Sequence, residues 1–292
     1  MRSKLFVPGA RPELFAKAVA GEADALSFDL EDSVPEAGKA GAREAVEAFV
    51  QSDTLRDSGK RVVVRVNALD SPHFAQDMRA MARPGVDWIN LPKPGHPADV
   101  LQAVQALEQA ERRNGVSIPI CLLVNIETPG ALRQAAAMAR AHPRVVGLQL
   151  GLADLFEPLC IDRGEPANVR QVMMAMRLAA GEAGILACDA AFTDLDDEAG
   201  FVAEASMARS LGYVGKTCIH PRQVPLANAH FGTTADEVAA ARRIVEQAVR
   251  AGHQGHGAFL VDGRMVDAPI LARARAVLAA AGGAGIVSGQ GS

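Results

Sequence analysis

Short apolar runs recur along this chain, and most are followed by an alanine-rich stretch in which apolar positions return every three or four residues. The runs are KLFVPG (4–9), ALSFDLED (25–32), RVVVRVN (61–67), WINLPK (88–93), ICLLVNIE (120–127), VVGLQLGLAD (145–154), ILACDA (185–190) and YVGKTCIH (213–220). Their length and β-branched content predict buried strands. The segments between them, among them EAGKAGAREAVEAFV, ADVLQAVQALEQAERR, GALRQAAAMARA, NVRQVMMAMRLAAGEAG and DEAGFVAEASMARSLG, are rich in helix formers and several begin near Asp, Asn, Pro or Gly. That pattern predicts helices; residues 74–83 carry its weakest form.

Strands alternating with helices pair in parallel through right-handed crossovers, and eight such units predict a closed (β/α)8 TIM barrel. The competing arrangement is an open doubly wound sheet, but no GxGxxG or GxxxxGK[ST] follows any of the runs. The expected organisation is a barrel over 1–232, a C-terminal helical extension over 233–282, and a disordered tail over 283–292. Within the extension, a helical stretch near 234–251 leads through GHQGHG to the strand-like AFLVDGRMVDAP and a closing helix.

Composition narrows the function. The chain has 292 residues, 49% hydrophobic and 22% charged, which suits a soluble protein with a full core. Aromatic content is 4%, with one Trp and one Tyr, so stacking platforms for bases are not expected. A net charge of -4 and the lack of a basic block argue against nucleic acid. Cys121, Cys160, Cys188 and Cys218 form no CxxC pair and are expected to be reduced, buried thiols. The N-terminus enters a strand within a few residues, and no apolar run approaches the ~20 residues of a membrane span. The expectation is a cytoplasmic protein with no membrane partner.

In such a barrel the chemistry sits at the C-terminal ends of the strands. Here those ends read Pro8-Gly9, Asp29-Leu30-Glu31-Asp32, Arg65-Val66-Asn67, Pro92-Lys93, Glu127-Thr128, Asp154, Asp189 and His220-Pro221. Apolar runs that end on polar residues predict one polar constellation. Glu127 and Asp154, with no Cys or His at comparable positions, are hard oxygen ligands that suit Mg²⁺. The alternative makes them salt-bridge partners of Arg65 or Lys93 and caps of the following helices. Strand alternation places Asp29 and Glu31 on one side and Leu30 and Asp32 on the other, and members of this acidic group could hold metal-bound waters. Arg65, flanked by Val64 and Val66, must point to a wet mouth or meet an acid, and a bidentate partner such as a substrate carboxylate or thioester oxygen would suit it. Lys93 is a weaker candidate, and His220 serves equally well as a loop residue. Arg2, Lys4 and Arg11 surround the first strand and could meet phosphates, although solvated surface charge is the simpler reading.

RSKLFVPGARPE, SFDLEDSVPEAGKAGAR, VRVN, LPK, IET, GLADL, GYVGKTCIHPRQV and GRMVDAP follow one another in an order and spacing that resembles the citrate lyase β subunit family, which includes malyl-CoA and citramalyl-CoA lyases. The resemblance covers roughly residues 2 to 275. It implies a Mg²⁺-dependent carbon–carbon lyase acting on 3-hydroxyacyl thioesters by a retro-Claisen route. By similarity Glu127 and Asp154 match the metal ligands, Arg65 the substrate-binding arginine and Asp267 the catalytic acid/base, with Pro8, Gly9, Arg65 and Glu127 lining the substrate. It also implies a homotrimer in which the segment carrying Asp267 is a lid over a neighbouring subunit. A helix N-cap is the competing role for Asp267. One departure stands out: the family's loop reads Gly-x-Glu-Asp, and here Ala153 precedes Asp154. The remaining alternatives are a citrate lyase β subunit acting on acyl-carrier-protein thioesters, a metal-dependent pyruvate aldolase, and a lapsed enzyme kept as a thioester-binding protein.

Overall fold

The structure, a computed structural model, describes residues 1–253 and 258–283. In chain order its elements are β1 (Ser3–Pro8), α1 (Phe15–Ala20), β2 (Ala25–Asp29), α2 (Lys39–Val50), α3 (Asp53–Arg56), β3 (Arg61–Arg65), α4 (Phe74–Met81), β4 (Trp88–Leu91), α5 (Pro97–Asn114), β5 (Cys121–Ile126), α6 (Pro129–Ala139), β6 (Val145–Leu150), α7 (Leu152–Phe156), α8 (Pro166–Glu182), β7 (Leu186–Ala191), α9 (Glu198–Ser210), β8 (Gly215–Cys218) and α10 (Gln223–Phe231). Each strand pairs in parallel with the next, and β8 closes on β1 through Ser3, Lys4 and Leu5. The expected (β/α)8 barrel is therefore the observed one. The weakly patterned 74–83 segment also forms its helix, because Phe74, Met78 and Met81 all turn into the core.

The chain divides into two compact units, Met1–Phe231 and the residues from Gly232 onward. In the second, α11 (Ala235–His253) and α12 (Ala268–Gly283) accompany an antiparallel hairpin of β9 (Phe259–Val261) and β10 (Arg264–Val266). Asp262 and Gly263 both take positive φ, 51° and 77°, the geometry that an Asp-Gly pair gives a two-residue hairpin turn. Of the turn expected at GHQGHG, residues 254–257 lie outside the described residues, as does the tail from 284.

Apolar side chains on the outer face of the strands and the inner face of the helices make the main core. Inside the barrel a small apolar plug of Val63, Trp88, Leu123 and Cys188 is a separate cluster. Lys4 also lies in the wall, 1% exposed, with its ammonium donating to Gln149 Oε1 and lying 4.5 Å from the centre of the Phe6 ring. Its expected place as a surface charge is thus corrected: it is an interior strand residue. Burial pushes its pKa down to about 7. Arg2 is half-buried against Asp24, at the N-terminal end of β2 and away from the strand C-termini, whereas exposed Arg11 pairs with Glu13. Cys188 and Cys218 are buried as expected, but Cys121 is half-buried and Cys160 exposed; all four thiols are free.

A buried polar network braces the loops after β2 and β3. Lys39 Nζ donates to Leu30 O (2.9 Å), Glu31 O (2.7 Å) and Asn67 Oδ1 (2.7 Å). Asn67 donates through its backbone and its amide to Asp77 Oδ2, at 2.9 and 2.6 Å, and Arg43 Nε meets Asp77 Oδ1 at 2.6 Å. Asp77 has no solvent exposure, so its charge is tolerable only with these donors.

Two outcomes follow. Asp77→Ala leaves the Arg43 guanidinium without its buried acid and costs about 3–5 kcal/mol, read as a fall in the urea midpoint. The effect of Lys4→Met depends on pH. Below about pH 7 the lysine is protonated in the folded and unfolded chain alike, and the full cost of burying its charge opposes folding. As pH rises the folded state loses the proton first, so the parent gains stability, by at most ~1.4 kcal/mol per pH unit, up to the ordinary lysine value. The stability of Lys4→Met relative to the parent is therefore greatest below pH 7 and declines above it. Urea titrations from pH 6 to 9 read the trend, and a constant difference would contradict it.

Candidate active site

The C-terminal end of β2 brings Asp29 alongside Arg65 at the end of β3, in register. Arg65 grips Asp29 with both arms, Nε to Oδ1 at 2.7 Å and Nη2 to Oδ2 at 2.8 Å. Asp29 also accepts the backbone N–H groups of Glu31 and Ser33, at 3.0 and 3.1 Å, and so shapes the turn that leaves the strand. Burial opposes ionisation of Asp29, but the Arg65 guanidinium holds its carboxyl below the usual range. Because the strand ends at Asp29, the alternation expected through Asp32 does not hold. Glu31 and Asp32 both face Arg65 Nη1, at 3.0 and 3.3 Å, and both take the Lys93 ammonium, at 2.7 and 3.1 Å. Leu30 instead packs into the core.

Lys93 follows β4 with a left-handed φ of 53°. Its backbone N–H donates to Glu127 Oε1 at 2.6 Å while its side chain serves Glu31 and Asp32. Glu127 Oε2 takes the Asn125 amide at 3.0 Å. The expected alternative, a salt bridge between Glu127 and the Arg65 or Lys93 side chain, is not what forms, and Thr128 rather than Glu127 caps α6 by accepting from Ala131 N at 3.1 Å. Glu127 is 2% exposed, and its pKa is raised to about 7 by burial and by the neighbouring Glu31 and Asp154 carboxylates. Gly151 is required beside it, since a Cβ there would stand 2.5 Å from Glu127 Cβ. Gly9 has a similar reason, lying under Asp29: it donates to Asp29 O at 2.8 Å, and a Cβ would stand 2.7 Å from that oxygen. Pro8 is in register with Asp29.

Asp154 lies in the first turn of α7 rather than on a strand, exposed, beside exposed Ala153. Among the described residues its carboxylate takes no side-chain hydrogen bond or ion pair. Two cations, Arg65 and Lys93, thus stand among five acids: Asp29, Glu31, Asp32, Glu127 and Asp154. The cations are engaged by the first three. Glu127 and Asp154 are left as hard oxygen donors in a locally anionic mouth, a donor set that fits Mg²⁺ completed by water and substrate oxygens. No group of three His, Cys, Asp or Glu able to hold a metal occurs among the described residues.

Asp189 and His220, both expected in this constellation, make other contacts. Asp189, fully buried, turns out of the barrel toward α9, where Lys216 Nζ meets Asp189 Oδ2 and Glu204 Oε1, both at 2.7 Å. His220 Nδ1 accepts Arg222 N at 3.1 Å, a loop contact. Asp267, half-buried in the second unit, accepts from Ile270 N at 3.4 Å at the start of α12. Asn90 and Asn125 do not stand out in the sequence because each sits inside an apolar strand; a polar amide at an interior position is the one signal they give.

A model of the HpcH/HpaI aldolase/citrate lyase family matches residues 2–221. The chain is 39% identical over 287 residues to citrate lyase subunit beta of Escherichia coli (strain K12), covering 98% of this chain and 94% of the relative. It is 36% identical over 300 residues to L-malyl-CoA/beta-methylmalyl-CoA lyase of Cereibacter sphaeroides, covering 95% and 93%. Among solved structures, CitE of Mycobacterium tuberculosis in complex with magnesium, acetoacetate and coenzyme A matches with a TM-score of 0.74 and 33% identity, over 97% of this chain and all of that one. No described helix is long and apolar enough to cross a membrane. With its closed barrel, its acidic mouth and these full-length similarities, the chain belongs to the HpcH/HpaI aldolase/citrate lyase family and is a carbon–carbon lyase.

Proposed function

We propose that this lyase cleaves a 3-hydroxyacyl-CoA thioester of the malyl or citramalyl type into a keto acid and acetyl-CoA, with Mg²⁺ held by Glu127 and Asp154. The observation that carries the reading is the buried Glu127 carboxylate, which meets only neutral donors while the cations beside it are engaged by other acids. Magnesium and coenzyme A accompany CitE of Mycobacterium tuberculosis in its crystal structure, and malyl-CoA is in the name of the Cereibacter relative.

When bound, Mg²⁺ supplies Lewis-acid polarisation of the substrate's hydroxyl and carboxylate oxygens. The protein's own groups do the rest. Arg65, held by Asp29 over the face of Phe6 at 4.8 Å, presents a fixed guanidinium to negative charge growing on the departing thioester enolate. Asp267 takes the hydroxyl proton; the oxygen becomes a carbonyl as the carbon–carbon bond breaks; the proton then returns to the enolate carbon, giving acetyl-CoA. The segment carrying Asp267 acts as a lid that excludes water, contributed in a homotrimer to the mouth of a neighbouring subunit. Pro8 and Gly9 bound the substrate on the β1 side. Ala153 removes one acid from the loop beside Asp154, which lowers the negative charge available to the metal.

The similarity to citrate lyase subunit beta supports a second reading, in which the thioester is carried by an acyl carrier protein. Malyl-CoA, methylmalyl-CoA, citramalyl-CoA and citryl-CoA, assayed for keto-acid release with and without Mg²⁺, separate the two. Metal-dependent turnover of one CoA ester is the expected result. Glu127→Gln and Asp267→Ala should each lower kcat at least 100-fold while leaving the fold intact by circular dichroism. Failure to cleave any CoA ester, with turnover of a carrier-protein thioester, selects the second reading. Elution as a monomer would reject the shared lid.

A further inference from the structure

Behind Glu127 lies a line of amides. Asn125 Nδ2 donates to Glu127 Oε2 at 3.0 Å, and Asn90 Nδ2 donates both to Asn125 Oδ1 at 2.6 Å and to the backbone carbonyl of Leu123 at 3.0 Å. Asn90 and Asn125 are 0% and 1% exposed. The pairing of β4 with β5 sets Asn90 opposite Leu123, so the strand register itself delivers the contact.

This line has a direction. A backbone carbonyl can only accept, so the part of Asn90 facing Leu123 O must be its NH2 group. The second hydrogen of that group points at Asn125, whose facing atom must therefore be its oxygen. The Asn125 NH2 is then left for Glu127. An amide reversed at either position would set like against like. Asn90 Oδ1 has no hydrogen-bond partner among the described residues, so nothing on that side draws the group round.

We infer that Asn90 and Asn125 form a neutral relay, anchored on the Leu123 carbonyl, that orients Glu127 as an acceptor for a divalent cation; this rests on the metal site proposed above. A buried carboxylate needs hydrogen-bond donors, and a lysine or arginine would provide them. A cationic donor, however, would repel an incoming cation and occupy the charge it needs. Two amides and one backbone N–H orient the carboxylate without adding charge, while the Arg65 and Lys93 cations are engaged by Asp29, Glu31 and Asp32. Asn125 touches the ligand directly, and Asn90 acts only through Asn125; both are positioning residues.

The test is a double-mutant cycle read by metal binding. Mg²⁺ and, in parallel, Mn²⁺ are titrated calorimetrically into substrate-free full-length protein. Asn125→Ala should weaken binding roughly 10-fold or more, the usual size for a residue supporting a metal ligand. Asn90→Ala should weaken it by a similar factor, and the double variant no further than Asn125→Ala alone. In turnover, the apparent KM for Mg²⁺ should rise while kcat at saturating metal stays within about twofold. Unchanged affinity in the single variants, or effects that multiply in the double variant, would overturn the relay. Glu127→Gln tells that failure from failure of the site: loss of metal binding there, with parental binding in the asparagine variants, rejects the relay alone. Parental binding in Glu127→Gln rejects the metal site and the relay together. If Asn90→Ala does not fold, Asn90→Asp keeps the volume and presents an acceptor to Asn125, turning its amide; a loss of affinity of at least the same size is expected, and parental affinity overturns the relay.

Discussion

The two-armed grip of Arg65 on Asp29 is the interaction around which the mouth of this barrel is arranged. It links the ends of adjacent strands, and it satisfies a nearly fully buried carboxylate that also caps its own turn. As a source of stability such a pair is worth little, because desolvating both charges offsets most of their attraction. Its effect is placement. With Asp29 occupying two nitrogens, Arg65 has only one left to meet Glu31 and Asp32, and those acids in turn hold the Lys93 ammonium. The mouth is thereby sorted into a matched cluster on the β2–β3 side and unmatched acids on the β5–β6 side.

That sorting explains why some of the site was legible in the sequence. Eight apolar runs with intervening helices specify the barrel, because strand spacing and helix periodicity follow directly from which residues must be buried. Glu127 stands out for the same reason: an acid at the end of LLVNI cannot be core. Arg65 between two valines is equally conspicuous. VVGLQLGLAD reads as one apolar run and so puts Asp154 at a strand end, whereas β6 stops at Leu150 and α7 begins at Leu152. The change occurs at Gly151, where the approach of Glu127 leaves no room for a side chain.

What sequence reasoning missed has a common cause, namely polar groups buried by partners far away along the chain. Lys4 reads as a surface charge near an N-terminus, yet its partner Gln149 is on β6 and only barrel closure brings them together. Asp189 ends an apolar run as convincingly as Glu127 does, but it faces the other way and is matched by Lys216. The brace of Lys39, Asn67, Asp77 and Arg43 joins two helices and a loop, and no single segment announces it. Cys160 departs from the expected burial because a thiol within an apolar-looking segment can still fall at an exposed left-handed turn.

Lys93 joins the two sides of the mouth in an unusual manner. Its backbone N–H addresses Glu127 and its ammonium addresses Glu31 and Asp32, with a left-handed backbone allowing the two to diverge. The first contact depends on chain conformation and the second on side-chain chemistry. Position 93 can therefore accumulate changes that retune the charge around Glu31 and Asp32 while the peptide's grip on Glu127 persists. The side-chain half of this junction is open to substitution, whereas the half that seats Glu127 is fixed by the path of the chain itself.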